Sequence, residues 1–381
     1  MVRISLSSKL SICDLRKALL SYLYAQQAHD QLVVRLESTD DVALEMLLLF
    51  GISYQHLYYQ KDNFKYHLQF ASTLLDRKKA FICFCSEEKV SFYDGTCEHL
   101  SSEEVLNNPN PFVIRMKKQN DDGDSFIIMD THKYPTSVFA RACDDMLQGI
   151  SHVIQEENDK EDASKEAYIR HALGYDQAID YTYVAPLHDA NSDVKKLLDE
   201  GFMPEAITNY LLLLGNTTPV EIFTLKEAIG WLKIETSSTS SLHFDTDRLS
   251  LINREHIKRL SDMELSKRLG YACENIGKLA KMYTKEASTT HEIKQKIDAI
   301  FAKKEPRLED KEQSLRIQKL ILEAPYFEAF DDFSAYLLKT SGLNSDVLLN
   351  VVRFWITGSE TNSKLDEVYP LIKNYLKEIV R

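Results

Sequence analysis

The chain has 381 residues, 44% of them hydrophobic, with 17 Phe and 19 Tyr against 12 Gly and 9 Pro. That length exceeds the usual single core and predicts two or three packed domains, while the composition excludes a disordered, collagen-like or low-complexity protein. With 46 basic and 58 acidic residues the net charge is -12, which excludes a generally basic nucleic-acid footprint.

The charge deficit is uneven, because residues 263 to 381 hold 19 basic and 18 acidic residues. An anionic partner would favour this C-terminal third, above all the stretch from Lys267 to Lys319, although its interleaved acids equally fit solvated helix faces. No apolar run reaches the roughly 18 to 20 residues of a spanning helix, and the N-terminus lacks the pattern of a secretory signal. A soluble, cytoplasmic protein without membrane contact is therefore expected. Six Cys in so long a chain suit a reducing compartment better than a disulfide framework.

In chain order, Val2 to Leu6 reads as a strand, Leu15 to Gln27 as a helix, Leu32 to Leu36 as a β-branched strand and Val42 to Phe50 as a helix capped by Asp40 or Asp41. This alternation is the grammar of a parallel sheet. Phe64 to Leu75 reads as a helix leading into the buried strand Ala80 to Cys85, after which the pattern loosens. Phe112 to Met116 and Ser125 to Met129 read as a strand pair joined by the polar turn Gln119 to Gly123. The strand-helix grammar then resumes: helix Val138 to Gln148, strand Ser151 to Gln155, helix Ser164 to Leu173, strand Tyr181 to Ala185, and helices Ser192 to Glu200 and Pro204 to Leu214. From Thr224 the period is helical, apart from a Ser/Thr-rich connector from Thr236 to Ser241.

Several of these segments resemble the class I glutamyl-tRNA synthetases of the bacterial type, which include enzymes that charge the glutamine tRNA with glutamate. Arg35-Leu36-Glu37-Ser38-Thr39-Asp40 stands where that family has Arg-Ile-Glu-Asp-Thr-Asp. Pro135-Thr136, Phe139, Asp144-Asp145 and Gly149-Ile150-Ser151 are similar to its Pro-Thr-Tyr-Asn-Phe and Asp-Asp stretch. Glu200-Gly201-Phe202 with Pro204 to Gly215, Phe223 to Trp231, Ile356-Thr357-Gly358 and Tyr369-Pro370 extend the likeness collinearly over nearly the whole chain.

The resemblance implies an α/β Rossmann-like catalytic domain over residues 1 to 215 with an insertion at about 80 to 135. A stem at 216 to 262 and an all-α domain at 263 to 381, like the anticodon-binding end of the family, would follow. It also implies chemistry whose parts are missing. Adenylate formation needs the ATP phosphates held and their charge stabilised by preorganised donors and cations. The family's His-Ile-Gly motif aligns with Ser11-Ile12-Cys13, and the Gly-containing turn before it with Leu6-Ser7-Ser8-Lys9-Leu10. Its lysine loop has no room between Pro186 to Asn191 and the helix at Ser192. Arg3, Ser7 and Glu37 stand where the family holds glutamate, so part of that floor persists, the alternative being that Arg3 and Glu37 form a buried pair supporting the strands. The expected Tyr, Asn and Arg, however, are Ser137, Val138 and Gln155. The five carboxylates from Glu156 to Asp162 would repel a triphosphate. ATP binding and conventional aminoacylation are not expected.

Cys83-x-Cys85 with Tyr93-Asp94-Gly95-Thr96-Cys97 resembles the zinc-binding insertion of some members of this family. Three thiolates and a further donor suit a structural, tetrahedral zinc. The fourth ligand is Tyr93 by resemblance and His99 on general chemistry, and buried or idle thiols are the alternative. Cys143 and Cys273 read as core, and Cys13 at a helix start carries a hint of reactivity.

The expected protein is thus a pseudoenzyme, a catalytically silent paralogue of glutamyl-tRNA synthetase that works by binding. Its partner would be a glutamate- or glutamine-type tRNA, or a protein of glutamyl-tRNA metabolism, and not DNA. A residual enzyme activating glutamate at a rearranged site and an amino-acid sensor are the rival readings.

Overall fold

A computed structural model describes residues 1–39, 41–85, 93, 95–119, 124–189, 193–234, 241–306, 311–358 and 364–381. Asp40, Asp94, residues 120–123 of the expected turn, residues 190–192, most of the Ser/Thr-rich connector and residues 307–310 of the basic stretch lie outside the described residues. The chain divides into two compact units, one formed by residues 1–194 and 211–244, the other by residues 195–210 and 245–381.

The first unit is built on β1 (Val2–Leu6), α1 (Ile12–Ala28), β2 (Leu32–Leu36), α2 (Val42–Leu49), β3 (His56–Tyr59), α3 (Phe64–Asp76), β4 (Ala80–Cys83), α4 (Ser102–Leu106), β5 (Val113–Met116), β6 (Phe126–Met129), α5 (Ser137–Gln148), β7 (His152–Glu156), α6 (Lys160–Ala172), β8 (Asp180–Val184) and β9 (Leu187–His188). After α7 (Val194–Asp199) and α8 (Pro204–Leu213), it is completed by α9 (Leu225–Trp231) and β10 (Leu242–His243). Five strands form a sheet in the order β3-β2-β1-β7-β8, every pair parallel. The expected Rossmann-like half is therefore formed. β2 is buried at all five positions, as a strand covered on both faces must be. The chain order reverses at β1, so the crevice between β1 and β7 at the strand ends is the place where such sheets take ligands.

Several boundaries differ from expectation for local reasons. α1 starts three residues early because Ser11 caps it, its Oγ accepting from the Asp14 N–H at 3.1 Å. Asp41 holds the N-cap position of α2, but its carboxylate accepts from the Tyr59 hydroxyl at 2.9 Å instead of capping. β3 escaped the pattern because its His-Leu-Tyr-Tyr sequence is half-buried throughout and does not alternate. α6 begins at Lys160 after a turn of 3-10 helix over Glu157–Asp159, in which Asp159 accepts from the Glu156 N–H. β4 leaves the parallel sheet and pairs antiparallel with β5, which pairs with β6. The two-residue strands β9 and β10 pair in parallel and were not foreseen, being too short to show a period.

The second unit continues with α10 (Thr246–Arg259), α11 (Asp262–Arg268), α12 (Glu274–Met282), α13 (Thr290–Phe301), α14 (Lys311–Glu323), α15 (Phe330–Ser341), α16 (Ser345–Thr357), α17 (Leu365–Ile372) and α18 (Leu376–Ile379). Among its described residues there is no strand. Gly201 is required in it: φ is 89°, and a Cβ there would stand 2.4 Å from the His291 nitrogen.

Candidate functional site

The strand-end crevice of the first unit is a cleft of about 200 Å³. Arg3, Ser7, Glu37 and Gln155, four of the six residues singled out for the amino-acid pocket, line it together. Ser137 and Val138 do not. Ser137 is exposed in the first turn of α5, and Val138 packs on the apolar core between α3, α5 and the antiparallel sheet. One turn beyond Ser137, Arg141 reaches the cleft, as do Asp14 and Lys17 from α1 and Asp159 and Asp162 from the 157–162 segment. The sequence contains the signal for Arg141, since residues i and i+4 share a helix face.

Every cation of this cleft already faces a carboxylate. Arg3, 3% exposed, lies 2.8 Å from Asp145 and 4.0 Å from Glu166. Arg141 contacts Glu166 at 2.5 Å and Asp162 at 2.8 Å, and Lys17 lies 3.3 Å from Asp14. Arg3 and Glu37 are not a pair, for Glu37 is one-third exposed and meets the buried Arg35 at 3.2 Å. Burial pushes the Asp145 carboxyl up to about 6 even beside Arg3. The Gln155 side chain is buried, with its Oε1 lacking a hydrogen-bond partner. Of the five carboxylates from Glu156 to Asp162, only Asp159 and Asp162 line the cleft. Glu157 pairs with Lys160 and Glu161 with Lys165, while Glu156 accepts from the Leu187 N–H at 3.4 Å.

The N-terminus of α1, where Ser11, Ile12 and Cys13 lie, is occupied by the chain itself. Ser11 Oγ donates to the Asp14 carboxylate at 2.6 Å, which sets a negative charge on the electropositive helix end. Ile12 is fully buried. The Cys13 thiol points to the Leu187 carbonyl at 3.5 Å, and burial together with Glu156 pushes its pKa up, which removes the hint of reactivity. Ser11 bridges to Asp193, and the Val194 N–H donates to the Leu10 carbonyl at 3.3 Å.

A second constellation lies in the antiparallel sheet. β4 ends at Cys83, so Cys85 sits on a bend and no longer alternates to the opposite face. The sulfurs of Cys83, Cys85 and Cys97 all lie within 4.8 Å of one another and are placed to hold a metal ion. Cys85 and Cys97 are 3.7 Å apart, and two sulfurs on a tetrahedral ion with ~2.3 Å bonds stand about 3.8 Å apart. The donor set and spacing therefore fit a zinc-type ion. Burial pushes the Cys85 thiol up to about 12, whereas at Cys97 the Phe84 N–H and neighbouring donors outweigh burial and lower it. The Tyr93 hydroxyl accepts from the Cys97 N–H at 2.7 Å, and the Arg115 guanidinium lies 4.8 Å from its ring centre. His99 is exposed and outside the sulfur group. Of the remaining thiols, Cys143 is core as expected, but Cys273 is half-buried at the N-cap of α12, where Tyr375 hydrogen-bonds it and lowers its pKa.

The family model for the catalytic domain of class I tRNA synthetases (E and Q) matches residues 5–110 and 100–251. The glutamate–tRNA ligase 2 of Sulfurimonas denitrificans is 40% identical over 419 aligned positions that cover 97% of each chain. The chain belongs to this family. The glutamate–tRNA ligase 2 of Campylobacter jejuni subsp. doylei is 38% identical, again over 97% of both chains. The alignment with the Sulfurimonas protein has 419 positions against a chain of 381 residues, so at least 38 positions of that relative have no counterpart here. Among solved structures, the glutamate–tRNA ligase of Elizabethkingia meningosepticum in complex with its amino acid has a TM-score of 0.71 at 17% identity, covering all of this chain and 98% of that one. The Elizabethkingia anophelis synthetase has a TM-score of 0.73 at 16% identity, with the same coverage. Both show the shared class I fold. No helix among the described residues is long and apolar enough to cross a membrane.

Proposed function

We propose that this member of the glutamyl-tRNA synthetase family does not aminoacylate and works by binding, with a glutamate- or glutamine-type tRNA as its partner. The observation that carries the first half is the N-terminus of α1. A phosphate-binding helix end must leave its N–H groups open to the anion. Here Ser11 and Asp14 cap it from within, and Asp193, Val194 and Leu187 are bonded across it. With every cation of the cleft facing a carboxylate, a triphosphate would meet Asp14, Glu37, Asp159 and Asp162 without a spare positive charge.

Family membership supports the tRNA. The basic stretch adds little, because six of its cations, Arg268, Lys278, Lys281, Lys294, Lys296 and Lys319, already have carboxylate partners. Binding should therefore be weak, and the part of it carried by phosphate contacts should decline with salt. Cys83, Cys85, Cys97 and Tyr93 would hold a structural zinc that ties β4 to the 93–97 segment. With four protein ligands it would leave no open position for chemistry.

The test is pyrophosphate exchange with ATP and glutamate, with and without tRNA, beside filter binding of both tRNAs at rising salt. No turnover together with salt-sensitive tRNA retention is the expected result. Turnover above background would overturn the silent reading. Absence of both turnover and retention would move the partner to a protein of glutamyl-tRNA metabolism. The cleft is of amino-acid size, so glutamate-dependent melting without ATP would instead favour a sensor.

A further inference from the structure

The first unit has a second concavity that shares no lining residue with the strand-end cleft. It lies between α6 and β8, the edge strand of the parallel sheet, and its volume of about 410 Å³ falls in the ~300–1,000 Å³ range of small-molecule sites. On its helical wall Ala163 and Ala167, one turn apart on α6, leave room beside Ser164, Arg170 and His171 of the same helix. Its strand wall carries Tyr181 and Tyr183 at alternate positions, hence on one face, with rings stacked at 6.1 Å and 14°.

Between these walls sits Arg170, 4% exposed. Its Nη2 donates to the Tyr181 hydroxyl at 3.2 Å, while its Nη1 has no hydrogen-bond partner. Burying a donor without an acceptor is unfavourable, so an orphan on a guanidinium that lines a groove points to a missing acceptor. The Tyr181 hydroxyl in turn donates to Glu166 at 3.1 Å, which fixes that ring from two sides. Lys160 at the start of α6, already paired with Glu157, lies 5.0 Å from the Tyr183 ring centre and does not line the groove, so Arg170 is the groove's cation. The exposed carboxylate lining the groove, Asp176, faces His171 at 3.3 Å.

We infer that this groove binds a flat heteroaromatic ring bearing an anionic group, the chemistry of a nucleoside monophosphate, either free or as one residue of a single-stranded RNA. The ring stacks on the tyrosines, where every base is tolerated through its π face. The anionic group takes the unpaired Arg170 donor, because a guanidinium offers a charge-assisted bond to phosphate oxygens. The inference goes beyond the proposed function and requires neither tRNA charging nor its absence.

Calorimetry of the full chain with AMP, GMP, CMP and UMP, and with a short single-stranded oligoribonucleotide of the base that binds, tests it. At least one monophosphate binds with a 1:1 stoichiometry. Ala167→Trp, which fills the groove from an exposed position, and Tyr183→Ala each weaken it about tenfold or more, while melting temperatures stay at the wild-type value. Arg170→Lys reduces the preference for the monophosphate over its parent nucleoside. Tighter binding of the oligonucleotide than of the monophosphate assigns the site to RNA, and the reverse assigns it to free nucleotide. No heat from any of these probes, or binding unchanged in Ala167→Trp, overturns the inference. Filter binding of whole tRNA to Ala167→Trp, run in parallel, keeps a failure here distinct from a failure of the tRNA reading.

Discussion

Arg35 Nε lies 2.7 Å from Asp144 Oδ2, with both side chains fully buried, and this pair ties β2 to α5 in the middle of the first unit. The other Asp144 oxygen accepts from Asn63 and His67, each at 2.8 Å, and Arg35 Nη2 donates to Gln60 at 2.6 Å. Burial alone would raise the Asp144 carboxyl, but the His67 and Arg35 bonds outweigh it and hold it below its usual range. Removing one member of such a network strands a buried charge, so Asp144→Ala is expected to cost about 3–5 kcal/mol in urea unfolding. A depressed folded pKa also fixes the sign with pH. The contribution is present above about pH 4 and is lost as pH falls through the folded value. A cost below 1 kcal/mol would show that Asp144 is dispensable to the fold.

Asp145, the next residue, has the opposite sign. Its carboxyl titrates near 6 in the folded chain against about 3.9 unfolded, so between these values the folded state holds more protons. Wild type should therefore gain stability relative to Asp145→Asn as pH falls from about 6 to 4, by a total on the order of 2–3 kcal/mol. Parallel stability curves for the two proteins over this window would show that Arg3 keeps Asp145 ionised throughout.

This contrast explains what was legible in the sequence. The strands of the parallel sheet were readable because β1, β2 and β7 are almost wholly buried and rich in Val, Ile and Leu. The cleft was readable in part, since Arg3, Ser7, Glu37 and Gln155 sit on or just after those strands. What was not readable was pairing. Arg3 turns to Asp145 and Arg35 to Asp144, contacts more than 100 residues apart in the chain that no local pattern encodes. Arg141 lies one helical turn beyond the two residues after Thr136 that align with the family's Tyr and Asn, so the motif itself does not mark it.

In the second unit, Lys304 is 9% exposed and points its ammonium at three main-chain carbonyls, Ile300 at 2.5 Å, Ile379 at 3.1 Å and Ala302 at 3.3 Å. Two of these lie near the C-terminus of α13 and one at that of α18, helix ends that lack internal donors. Lys304→Met should destabilise this unit by roughly 1–3 kcal/mol, the cost of leaving buried acceptors unmade. Burial lowers the ammonium pKa to about 8 against about 10.4 unfolded, so the folded state sheds its proton first. Wild type should gain on the Met variant as pH rises between these values. A variant as stable as wild type would reduce the lysine to a space-filling role.

The three thiols give the most direct measurement. If Cys83, Cys85 and Cys97 hold a tetrahedral ion with Tyr93, native mass spectrometry should find one metal per chain, and Co²⁺ exchanged into the site should show thiolate charge-transfer and tetrahedral ligand-field bands. Cys97→Ser should lose the ion. Tyr93→Phe should weaken its retention against a chelator, and His99→Ala should leave it unchanged, because His99 is exposed and outside the sulfur group. Removal of the ion should lower the melting temperature, since an ion held by Cys83, Cys85 and Cys97 would tie residues 93 to 97 to the end of β4 and its binding free energy would add to folding. Weakened retention in His99→Ala with none in Tyr93→Phe would reverse the choice of fourth ligand. A chain that takes up neither Zn²⁺ nor Co²⁺ when fully reduced would leave the cluster as packed thiols, with Cys83 and Cys97 buried against Phe81 and Val113.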